Sequence, residues 1–217
     1  MIWLILGCGP KTAEVEPVTP TDAAVEEATL SAEATAGVTD PALRQLLHDH
    51  WEDTMARSPV WATRLGDHRY DDQIGDSSLA GIAEARAARD AFLARAKAID
   101  KPASKADQQN LGLFIFSLEQ EAARDVCDSA LWGLSARSNA LVSWNYLPEA
   151  HQVHTAQDGR NLLARYRAIP GAIDADIERL SAGLAAGKVA NATSVQKVIE
   201  QLAAQLQQPA EEWPLAA

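Results

Sequence analysis

From residue 40 to residue 206 the apolar side chains recur at three- and four-residue steps, and no stretch sustains the alternation of a strand. That spacing restricts the chain to helices packed on helices. Leu43, Leu46, Leu47, Trp51 and Met55 draw the first stripe, started by Asp40 and Pro41. Ser58 and Pro59 open a short second helix with Val60, Trp61 and Leu65 facing inward, ended by Gly66. Ser77 and Ser78 begin a third through Leu79, Ile82, Phe92, Leu93 and Ala96, which Pro102 stops. Ser104 and Asp107 resemble a capping box for a fourth, lined by Leu111, Phe114, Ile115 and Leu118.

Residues 128–154 are less regular and read as a packed loop. Thr155 and Asp158 start a helix that Pro170 interrupts, and Ile173, Ile177, Leu180 and Leu184 define the next. Thr193 and Gln196 form a capping box before Val195, Val198, Ile199, Leu202 and Leu206. The fold class is all-α, an irregular multi-helix array spanning 40–217.

The first forty residues have a different composition. Residues 9–39 are rich in Ala, Pro, Thr and Glu with little apolar periodicity, which predicts a disordered acidic linker. Ile5-Leu6-Gly7-Cys8 resembles a bacterial lipobox, so residues 1–8 read as the end of a truncated lipoprotein signal with Cys8 lipidated. The alternative is an apolar N-terminus without a targeting role. If Cys8 is acylated, Cys127 is left unpaired, and the chain is exported and anchored to the cell envelope through lipid. The net charge of −11, from 30 acidic and 19 basic residues, comes with no basic stripe. Nucleic acid is excluded as a partner.

Chemistry concentrates in "GDHRYDD", residues 66–72. Asp67, Asp71 and Asp72 could hold a hard cation, but the spacing is not that of a calcium loop. The simpler reading is a turn in which carboxylates satisfy backbone donors and His68, Arg69 and Tyr70 pair locally. His48 with Glu52, and His151 with His154, have metal-like spacings but no third ligand. His50 lies along the first apolar stripe, where a hydrogen-bonded core histidine is expected. Gly183 to Lys188 is a helix C-terminus and departs from the phosphate-loop pattern. Neither His-Glu-x-x-His nor Gly-x-Ser-x-Gly occurs.

"SPVWATRLGDHRYDD", "QQNLGLFIFSLEQE" and "LLARYRAIPGAIDADIERLSAGLAAGK", in that order, resemble the bacterial domain of unknown function 885, from about Leu43 to the C-terminus. Gly66, Asp67, His68, Arg69, Tyr70 and Asp71 are the most specific part. The resemblance implies a larger, secreted or lipid-anchored helical protein that looks like a zinc metallopeptidase, with His-Glu-x-x-His in its C-terminal portion. In that motif two histidines and a downstream carboxylate hold Zn²⁺ while the glutamate activates water. This sequence has no such motif, so it reads as the N-terminal part of that fold, inactive alone. No catalytic, zinc or other cofactor residue is assigned to it. The resemblance places its helices along a peptide-binding channel. The competing reading is a non-enzymatic helical lipoprotein that binds a partner or ligand at the envelope.

Overall fold

The computed structural model describes residues 30–216, so Cys8, the signal and most of the linker lie outside the described residues. All regular elements in that range are helical. The only bridge is an isolated pairing of Ser135 with Ser138. Helix α1 spans Pro41–Arg57 and is capped as its sequence predicts, the Asp40 side chain accepting from Leu43 N. α2 spans Pro59–Arg64, α3 Leu79–Lys97 and α4 Lys105–Arg124.

α3 and α4 pack against each other, and α1 lies on α3. Between them is the main core: Val38, Leu43, Leu46, Phe92, Ala96, Leu111 and Leu118. Residues read as linker contribute to it, since Val38 is 5% exposed, Ser31 and Thr35 are buried, and 30–34 are helical. The packed body therefore begins before residue 40. The contact that holds this approach is Asp107. Ser104 caps α4 by accepting from Asp107 N, but the Asp107 carboxylate does not close the box. It accepts from Thr39 N, the Thr39 hydroxyl and Asp40 N instead. The Thr39 hydroxyl bond outweighs burial and holds the Asp107 carboxyl below the usual range.

His50 sits between the rings of Phe92 and Phe114, edge-on at 5.1 and 5.0 Å. Aromatic edges take the place of the expected hydrogen-bonding partner, and burial lowers the His50 pKa.

The segment read as a loop contains two short helices, α5 (Ala140–Asn145) and α6 (Leu147–Ala150). α7 then runs unbroken over Ala156–Ala185, through Pro170. Thr155 and Asp158 form a complete capping box at its start. Pro170 is exposed on α7, next to buried Ile169 and within a turn and a half of buried Arg165. The lost backbone bond, a cost of about 3 kcal/mol, is met by anchoring on that buried face. α8 spans Ala192–Leu206 and is capped by Asn191, two residues before the expected Thr193. Its polar Gln201 and Gln205 bond to the 135–145 segment. Ile199, Leu202 and Leu206 are left exposed.

Candidate functional site

The corner after α2 is formed by Gly66 at φ +90, which ends the helix, and by the single 3-10 turn His68–Tyr70. On α2 the inward residues are Pro59, Ala62 and Thr63, whereas Trp61 is 51% exposed. A six-residue helix turns its polar Thr63 inward because a charge waits there. That charge is Arg165, from the third turn of α7, with no exposed surface.

The Arg165 guanidinium donates to five acceptors from four segments. Nε reaches the Gln73 carbonyl at 2.8 Å, and one Nη reaches His151 Nδ1 at 2.7 Å. The other Nη serves the Pro59 carbonyl, the Thr63 hydroxyl and the Tyr70 carbonyl, at 3.1, 2.7 and 3.1 Å. Asp71 Oδ1 lies 3.7 Å away and takes a 2.5 Å bond from the Thr63 hydroxyl. Burial lowers the Arg165 pKa, against the fields of Asp71 and Asp72. A guanidinium can only donate, so His151 Nδ1 carries a lone pair and its Nε2–H donates to the Asp158 carbonyl at 3.0 Å. His151, 2% exposed, is thus a polar part of the core and is not paired with His154.

The second half of the corner is an ion-paired turn. Asp67, 1% exposed, accepts from Arg69 Nε and one Nη at 2.9 and 2.6 Å, and from Arg69 N. Burial opposes ionisation of Asp67, but these bonds outweigh it and its pKa falls. Asp67 and Glu52 together raise that of Arg69, whose other Nη reaches Glu52 at 2.6 Å. Glu52 therefore faces Arg69 and is not a partner of His48. Tyr70 lies under the Arg69 cation. His68 Nδ1 meets Asp71 Oδ2 at 2.8 Å, and its side chain is 59% exposed.

Within the corner Asp67 pairs with Arg69 and Asp71 with His68, while Arg69 also reaches Glu52 of α1. What the sequence reading missed is Arg165 with its acceptors Thr63 and His151. Among the described residues no three His, Cys, Asp or Glu side chains are grouped to hold a metal. Two open clefts, of about 360 and 520 Å³, share Arg57, Gly75 and Asp76; neither is lined by His68, Asp71 or Arg165. Cys127 is free and exposed, and no helix among the described residues is long and apolar enough to cross a membrane.

A helical array whose α2, α6 and α7 meet on a buried arginine behind a Gly-Asp-His-Arg-Tyr-Asp corner defines the class. The chain belongs to the family described as Bacterial protein of unknown function (DUF885), whose model matches residues 59–217. The match takes in the corner, Arg165 and both C-terminal helices. A comparison with curated proteins gives no match.

Proposed function

We propose that this chain is the helical wall of an envelope metallopeptidase-like protein, supplying surface and shape but not the zinc-binding catalytic motif. The observation that carries the reading is the internal consumption of the corner's charges. Asp67, Arg69, Asp71 and Arg165 each meet partners within the chain, which suits a structural joint better than a metal centre. The test uses the purified full chain. Elemental analysis should find no stoichiometric zinc, and a mixed peptide substrate should remain intact. One equivalent of zinc lost on His68→Ala, or peptide cleavage, would overturn the reading.

A second reading, a non-enzymatic lipoprotein that binds a partner, draws on the exposed Ile177, Leu184, Ile199, Leu202 and Leu206 of α7 and α8. Both readings share the anchor at Cys8. In cells, Cys8→Ser expressed with its signal should lose globomycin-sensitive processing and leave the membrane fraction. Unchanged membrane association would sink the anchor.

A further inference from the structure

The buried network ends on one atom that it does not use. Asp71, 4% exposed, is fixed through its Oδ1 by the Thr63 hydroxyl, which in turn accepts from Arg165. Its Oδ2 faces His68 Nδ1 at 2.8 Å. A carboxylate only accepts, so in the neutral ring the imidazole proton sits on Nδ1 and the lone pair on Nε2. The His68 side chain is 59% exposed, whereas its carboxylate partner is buried. A carboxylate behind one ring nitrogen fixes both tautomer and ring orientation for chemistry at the other.

We propose that the corner presents Nε2 of His68 as a positioned base, open to a hydroxyl or water that a ligand brings to this face. Asp71 is the positioning residue. In the step itself the O–H bond breaks and leaves its electron pair on the oxygen as hydroxide or alkoxide, a bond from Nε2 to the proton forms, and the resulting imidazolium faces the Asp71 carboxylate. This use of His68 is independent of the scaffold reading, because it needs neither a metal nor a peptide.

Two measurements on the full chain test it. Long-range ¹⁵N–¹H NMR should show neutral His68 as the Nδ1–H tautomer. Diethyl pyrocarbonate should carbethoxylate His68 several-fold faster than half-exposed His48, whose buried Nδ1 has no hydrogen-bond partner and lies 3.7 Å from Asp49. There the Nε2 lone pair bonds the carbonyl carbon and the bridging C–O bond breaks. The ethyl carbonate that leaves takes up the Nδ1 proton and decays to ethanol and carbon dioxide. Asp71→Asn should mix the tautomers and remove the rate advantage; if that variant does not fold, the two wild-type readings decide. An Nε2–H tautomer, or His68 reacting no faster than His48, would overturn the proposal, as would a folded Asp71→Asn with both readings unchanged.

Discussion

Replacing Arg165 with methionine should lower the melting temperature by roughly 10 °C, from a loss of about 3–5 kcal/mol at about 2–4 °C per kcal/mol for a domain of this size. Methionine fills much of the space but donates no hydrogen bond. The Gln73 carbonyl and the Nδ1 of His151 would lose their donor, while the carbonyls of Pro59 and Tyr70 would lose one of two, keeping the Thr63 hydroxyl and Gln73 N. Each buried acceptor left unpaired costs about 1–3 kcal/mol, so even partial relaxation leaves a large deficit. Asp71 would keep Thr63 and His68 but lose the nearby cation. Arg165→Lys should rescue little, because one ammonium cannot reach positions served by three guanidinium nitrogens. Thermal unfolding followed by circular dichroism at 222 nm checks both variants. A methionine variant melting within a degree of wild type would mean that the network contributes specificity and no stability.

The reason Arg165 escapes a reading of the sequence is physical. An arginine in a charged, alanine-rich helix reads as a solvated residue, and its burial depends on acceptors about 90 to 105 positions away. No local pattern carries that information. Asp107 is similar: its capping role is visible beside Ser104, while its carboxylate bonds Thr39 and Asp40 across 68 and 67 residues. By contrast, α1 is legible because Asp40, Pro41 and the leucine stripe all act within a few turns. The capping box of Thr155 and Asp158 is legible for the same reason. Pro170 misleads because a proline ends a helix only if nothing else holds both sides, and Arg165 and Ile169 anchor α7 beside it. Trp61 misleads on α2 because the buried charge draws Thr63 inward and turns the indole outward. Within the candidate site, the pairing of the corner with itself is local and readable. Which of its carboxylates is backed by a buried cation is not.

Leu46→Ala should cost about 2–5 kcal/mol, whereas Leu202→Ala should stay within about 0.5 kcal/mol, although both leucines occupy the apolar stripe of an amphipathic helix. The difference lies in what each stripe meets. Leu46 is 1% exposed and belongs to the cluster that α1, α3 and α4 build with Val38. Deleting its side chain leaves a void walled by helices that are themselves fixed by Asp40, Ser78 and Ser104 caps, so collapse into the space is limited. Leu202 is 43% exposed on α8, whose hydrogen bonds to the rest run through Gln201 and Gln205. Its removal opens no cavity. Urea unfolding of the two variants measures this directly, as midpoint shifts at constant slope. Equal shifts would show that the apolar row of α8 is packed in solution, and would remove the exposed-face support for a partner-binding role.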